Sequence, residues 1–78
     1  MNKYLNTKVV IDTDTSYIYI GILIEIHNRS IILKDVDVHD NNDSDSTKEK
    51  YILEAKKSGL TKNRNQTEIL NSRIVSIS

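Results

Sequence analysis

Cysteine, proline, phenylalanine and tryptophan are all absent from this sequence of 78 residues, and glycine occurs only twice. Without cysteine, the chain can form neither a disulfide framework nor a thiolate metal site. It also lacks a run of about 18 apolar residues that could span a membrane, and the opening MNKYLNTKVV contains no apolar signal region. We therefore expect a soluble, cytoplasmic protein that forms a single domain over residues 1–78 and needs no cofactor.

The charge balance is neutral, with eleven basic and eleven acidic residues, so no global field attracts the protein to nucleic acid or to a membrane. The charges are nevertheless clustered, the acids in one predicted hairpin and the bases in the segment after it. Solvated loops and faces are the simplest explanation of both clusters. The acids are Asp35, Asp37, Asp40, Asp43 and Asp45, and the bases are Lys48, Lys50, Lys56, Lys57, Lys62 and Arg64.

The longest patterned stretch is SYIYIGILIEIH at residues 16–27. Isoleucine occupies every second position from Ile18 to Ile26, which predicts a strand with five isoleucines on one face. A strand of this length is about twice the usual one, and glycine inside a strand commonly marks a bulge or a tight bend. We expect the strand to bend at Gly21.

The flanking segments also favour strands. Residues 7–12 read as a first strand, residues 12–16 as a turn, and residues 30–39 as a third strand that places Val36 and Val38 on one face. Residues 1–6 have the composition of a single helical turn.

The second half of the chain is more polar. We predict a loop at residues 41–47, a fourth strand at 48–57 and a loop with little order at 58–68. Residues 69–70 end one strand or approach another, residues 71–72 turn, and residues 74–77 make the last strand. The fold class predicted is all-β, a small and strongly bent five-stranded antiparallel barrel.

This layout resembles the Sm-like family of RNA-binding ring proteins, in which a short helix precedes five bent strands. The first family motif has a glycine in mid-strand and a leucine two positions later, as Gly21 and Leu23 stand here. Its exit into the third strand is matched by Ile31, Leu33 and Asp35. The second motif is matched in spacing, and in every apolar position of the last strand, by residues 69–77.

The resemblance implies that two turns meet at the pore of a ring and hold a base of single-stranded RNA. The residues it places there are His27, Asn28, Arg29, Ser30, Asn71 and Arg73. The chain departs from the family pattern at three of the expected positions: His27 stands for an Asp, Leu70 for an Arg and Asn71 for a Gly. Ordinary turn chemistry is the alternative explanation of the same side chains.

The resemblance also implies a homo-oligomeric ring of about five to seven subunits, in which strand four of one copy pairs with strand five of the next. The residues expected at that interface are Tyr51, Leu53, Ala55, Ile74, Val75 and Ile77. A scaffold or protein-interaction ring without nucleic-acid binding is the alternative function, because exposed sheet edges are templates for pairing with other chains.

Catalysis and metal binding find little support in the sequence. The two histidines lie twelve residues apart on predicted strands, and no nucleophile stands at a useful spacing from a base. The acidic run from Asn41 fails the calcium-loop template, because Ser46 stands where glycine is required and Ile52 where glutamate is required. We expect a binding protein, not an enzyme, and no metal site.

Overall fold

The computed structural model describes residues 2–40 and 63–78. They form one antiparallel sheet of five strands in the spatial order β4-β3-β2-β1-β5. The strands are β1 (Lys8–Thr13), β2 (Tyr17–Ile26), β3 (Ser30–Asp40), β4 (Arg64–Leu70) and β5 (Ile74–Ile77). Two short 3-10 turns, Asn2–Tyr4 and Asn71–Arg73, precede β1 and β5. The predicted all-β class, the antiparallel pairing and the N-terminal helical turn are thus confirmed.

The core lies on one face of this sheet. Directly opposed residues of antiparallel strands share a face, so the pair Leu23 and Leu33 and the pair Val9 and Gly21 identify it. A single cluster of buried side chains occupies this face, and Tyr4, Tyr19, Ile26, Val38, Ile74 and Ile77 pack against it. Its members are Val9, Ile11, Leu23, Ile31, Leu33, Val36 and Ile69.

The irregularity predicted at Gly21 is present. Between Ile20 and Ile22 the pairing of β2 with β3 shifts by one residue, because β3 inserts an extra residue at Asp35, whose φ is 51°. Aspartate is among the few residues that tolerate this left-handed conformation. A Cβ on Gly21 would lie 2.9 Å from the carbonyl oxygen of Lys34 and 3.1 Å from a methyl carbon of Val36. Glycine is required here because any larger side chain at position 21 would collide with these atoms of β3.

The predicted single face of five isoleucines is wrong. A second shift, between Leu23 and Glu25, inserts an extra residue into β2 and reverses the alternation. As a result Ile26 reaches the core face of Leu23, whereas Ile18 and Ile20 are fully buried without belonging to the core cluster. The alternation of isoleucines in the sequence does not reveal this bulge, because no glycine marks the position of the second shift.

The predicted loop at 58–68 is also wrong over residues 64–68, which belong to β4. This strand pairs with β3 from Arg64 opposite Val36 to Leu70 opposite Ser30. Only Ile69 of β4 is buried, so the sequence of this edge strand shows little alternation of apolar and polar residues. The strand is held mainly by its backbone hydrogen bonds to β3. The predicted strand at 48–57, with Tyr51, Leu53 and Ala55, lies outside the described residues, and the fourth strand of the sheet is Arg64–Leu70.

Among the residues described, no helix combines the length and the apolar character needed to cross a membrane.

Candidate nucleic-acid interface

The turn between β2 and β3 is short and closed by the backbone. The N–H of His27 donates to the carbonyl of Ser30 at 2.8 Å, which leaves Asn28 and Arg29 exposed at the tip. Asparagine is favoured in such turns because its side chain bonds nearby backbone and it tolerates unusual φ values. The turn therefore presents one amide and one guanidinium to solvent.

The turn between β4 and β5 is fastened directly to this tip. The backbone N–H of Asn71 donates to the carbonyl oxygen of Arg29 at 2.8 Å. The Asn71 side-chain Nδ2 lies 3.4 Å from the carbonyl oxygen of Asn28, a long hydrogen bond. Because Ser30 and Leu70 are paired at the adjacent ends of β3 and β4, the ladder brings the two turns together. The meeting of these turns, expected from the resemblance, is present in the structure.

The two turns enclose a surface depression of about 440 Å³. The apolar side chain that lines the depression is Leu70, which is 54% exposed, and the positively charged one is Arg29. We call these lining residues the turn cluster. Its members are Asn28, Arg29, Leu70, Asn71 and Ser72.

One acceptor of the turn cluster is unsatisfied. The Oδ1 atom of Asn71 is buried and has no hydrogen-bond donor in the described part of the chain. A buried polar atom without a partner costs on the order of 1–3 kcal/mol, and such atoms are rare in folded proteins. The Arg29 guanidinium likewise makes no ion pair within residues 2–40 and 63–78.

Two further predicted site residues flank the depression and do not line it. His27 Nε2 lies 3.0 Å from Glu25 Oε1, and both side chains are about half exposed. Ser30 is buried, and its hydroxyl donates to Glu68 Oε2 at 2.7 Å. Ser30 therefore holds β3 to β4 and is not presented to a ligand.

Arg73 does not line the depression. Its Nη1 lies 3.4 Å from Asp14 Oδ2, and its carbonyl accepts the backbone N–H of Asp14 at 2.9 Å. Arg73 therefore secures the turn between β1 and β2. The two residues of the ion pair are 59 positions apart in the sequence, so no local sequence pattern predicts the pair.

The turn that Arg73 secures contains a polar network, which we call the threonine network (Thr13, Thr15 and Tyr17). The buried Thr13 hydroxyl donates to the carbonyl of Tyr17 at 2.8 Å and lies 2.7 Å from the Thr15 hydroxyl. The N–H of Tyr17 in turn donates to the Thr15 hydroxyl at 3.1 Å. Because Thr13 has one hydroxyl proton and gives it to Tyr17, Thr15 is the donor to Thr13.

Of the predicted interface residues, Ile74 and Ile77 pack on the core from β5, and Val75 is 64% exposed on the other side of that strand. Tyr51, Leu53 and Ala55 lie outside the described residues. The structure therefore places only the β5 half of the predicted interface.

Sequence reasoning missed the role of Leu70 and Ser72 as lining residues. The available signal was the pair Ile69-Leu70 at a strand end, because adjacent strand residues face opposite sides and only one of the two can be buried. Within the described ranges, no group of three or more His, Asp or Glu side chains is placed to hold a metal ion.

No protein-family model and no curated protein matches the sequence.

Proposed function

We propose that this protein is a subunit of an Sm-like ring that binds single-stranded RNA at the turn cluster. The observation that carries the proposal is the bond between Asn71 N–H and the Arg29 carbonyl, which fixes two turns from distant parts of the chain around one depression. A site for RNA needs this kind of preorganised edge, because single strands are recognised by stacking and by polar contacts to splayed bases.

The chemistry of the turn cluster supports a nucleic acid more than an apolar ligand. It combines one guanidinium that makes no ion pair among the described residues, two amides, a hydroxyl and one exposed apolar side chain. Guanidinium groups contact phosphates, amides reach base edges, and an apolar surface accepts a base face. The neutral net charge implies that affinity comes from repeated contacts around a ring and not from a general basic field.

The sheet edges support assembly. In the described sheet, β4 and β5 are the outer strands, so each has one edge without a partner strand. Strand β5 carries no charged residue, and Val75 projects from it, which are features that favour strand pairing. In this proposal β5 of one copy pairs with Arg64–Leu70 of the next, the sheet of each copy bends into a barrel that stays open between β4 and β5, and about five to seven copies close the ring.

Fluorescence anisotropy with labelled oligo(U) and oligo(A) tests the proposal. We expect salt-sensitive binding that Arg29→Ala weakens and Arg73→Ala does not. Arg73 is a matched control, because it is an exposed arginine that does not line the depression and its Nη1 lies 3.4 Å from Asp14 Oδ2. No salt-sensitive binding at tens of micromolar protein would contradict RNA binding.

A protein-interaction ring without nucleic acid is the second candidate, favoured by the exposed and uncharged β5 edge. Light scattering with size-exclusion chromatography separates assembly from RNA binding. We expect an oligomer of about five to seven copies, and Val75→Pro should reduce it to monomer or aggregate, because proline removes a strand donor. A discrete mass near 9.0 kDa for the unaltered chain would refute both ring proposals.

A further inference from the structure

The outer face of the sheet, opposite the core cluster, carries a row of positive charge that crosses three strands. We call it the lysine row (Lys8, Ile22 and Lys34), because Ile22 pairs with Lys8 of β1 on one side and with Lys34 of β3 on the other. Each of the three is next in sequence to a member of the core cluster, so all three point away from the core. Both lysines are exposed, and neither makes an ion pair within residues 2–40 and 63–78.

A second row on the same face has the same layout with the opposite charge. We call it the carboxylate row (Glu25, Ile32 and Glu68), because Ile32 pairs with Glu25 of β2 on one side and with Glu68 of β4 on the other. Both glutamates are exposed. Glu25 contacts His27, and Glu68 accepts the hydroxyl of Ser30. A carboxylate can accept about four hydrogen bonds, so each of them can also receive a cation.

The two rows are neighbours on the face. Lys34 and Ile32 are two residues apart on β3, which separates the rows by about 7 Å. On the other side of the lysine row the nearest acidic residue is Asp37, which accepts the Nδ2 of Asn63 at 3.2 Å. The outer face therefore presents adjacent bands of opposite charge, each centred on a half-buried isoleucine.

We infer that this outer face docks on the outer face of a second copy of the chain, with each lysine row over the carboxylate row of the other copy. A two-fold axis between the copies, parallel to the rows, produces the arrangement because it exchanges the two rows. Lys34 of one copy then lies over Ile32 of the other, with a glutamate on either side of it. The formal net charge of zero means that no overall repulsion opposes the pairing.

This docking is weak and depends on salt. Exposed ion pairs contribute little one at a time, although the two-fold axis makes every contact twice. The screening length falls from about 30 Å at 0.01 M salt to about 3 Å at 1 M salt, so the copies should separate at high salt. The proposed ring uses the edges of the sheet and backbone hydrogen bonds, so it is compatible with docking through the face and should persist at 1 M salt.

The test is the mass of the full chain by light scattering at high protein concentration, at about 0.01 M and about 1 M salt. We expect the mass at low salt to be twice the mass at high salt. Lys34→Glu should keep the high-salt mass under both conditions, whereas Lys3→Glu should behave as the unaltered chain. Lys3 is a matched control, because it is exposed, precedes β1 and has its Nζ 5.3 Å from the ring centroid of Tyr4. The same mass at both salt concentrations, or equal losses in the two variants, would overturn the inference.

A mixture of two variants guards against an effect on folding. Glu25→Lys reverses one charge of the carboxylate row, so it and Lys34→Glu should each dock poorly alone. Mixed at low salt, they should recover most of the twofold mass, and no recovery would overturn the assignment of the rows. The high-salt mass tests the ring separately. A value near 9.0 kDa there would contradict the ring, while its doubling at low salt would still support docking.

Discussion

The two ends of the Asn71–Arg73 turn lie in contrasting surroundings. At Arg73 the polar groups satisfy one another. The guanidinium pairs with Asp14, and in the neighbouring threonine network the Tyr17 N–H donates to the Thr15 hydroxyl, which donates to the Thr13 hydroxyl. At Asn71 they do not, because the Arg29 guanidinium has no carboxylate partner among the described residues and the Asn71 Oδ1 atom is buried without a donor.

In the proposal made above, the difference separates a structural corner from a binding site. Hydrogen-bonding capacity that is used inside the fold stabilises it, whereas an exposed guanidinium beside an exposed apolar side chain is accessible to a ligand. Substitutions at the threonine network should therefore change stability and leave binding intact, and substitutions at the turn cluster should do the opposite.

The largest stability effect is expected for Thr13→Val. The change keeps the side-chain shape but removes a buried hydroxyl that donates to the Tyr17 carbonyl and accepts from Thr15. Losing these two bonds should lower the free energy of unfolding by about 1–3 kcal/mol, measured by urea denaturation. Thr7→Val is the matched control, because the Thr7 hydroxyl bonds the Tyr4 carbonyl at an exposed site. Equal losses in the two variants would show that the network adds nothing.

A smaller effect is expected at alkaline pH. Burial, and secondarily the nearby Tyr17, raise the pKa of Tyr19 above the usual value of 10.0. The unfolded chain then loses this proton at lower pH than the folded chain, so the stabilisation is complete below about pH 10 and is lost as the pH rises through the folded value. Thermal melts across this range should show a shallower alkaline decline for Tyr19→Phe. Tyr17→Phe should keep most of the decline, because burial is the larger cause. An unchanged pH profile in Tyr19→Phe would contradict this assignment.

The smallest stability effect is expected for Arg73→Ala. The Arg73–Asp14 pair is exposed on both sides, with side chains 61% and 47% accessible. Surface pairs of this kind contribute about 0–1 kcal/mol, so the melting temperature should change by no more than a few degrees. A loss as large as that of Thr13→Val would mean that this ion pair, and not the hydroxyl network, secures the corner.

The sequence predicted the first three strands and the last one, because isoleucine and valine alternate there with turn residues between them. It failed at Arg64–Glu68, where every residue is polar and the strand is held by its ladder to β3, which is visible only in three dimensions. It also failed at the bulge after Leu23, since isoleucine continues at every second position through it.

The part of the candidate site that consists of turn residues was predictable from the sequence. Asn28, Arg29 and Asn71 come together as the motif spacing implied, since short turns at strand ends have few arrangements. Arg73 does not line the depression, and its partner, Asp14, is too distant in sequence for a local pattern to indicate the pair. Leu70 was read as the loss of a charge, and only its exposure within the depression indicates a binding surface.

The most direct test is the RNA affinity of two matched variants, Arg29→Ala and Arg73→Ala. Each variant loses one exposed guanidinium, so the two have the same net charge. The measurement is anisotropy of labelled oligo(U) and oligo(A) at low salt. The account predicts a loss on the order of tenfold for Arg29→Ala and less than about twofold for Arg73→Ala. Equal losses would show that binding follows total charge, and the absence of loss in Arg29→Ala would contradict a binding site at the turn cluster.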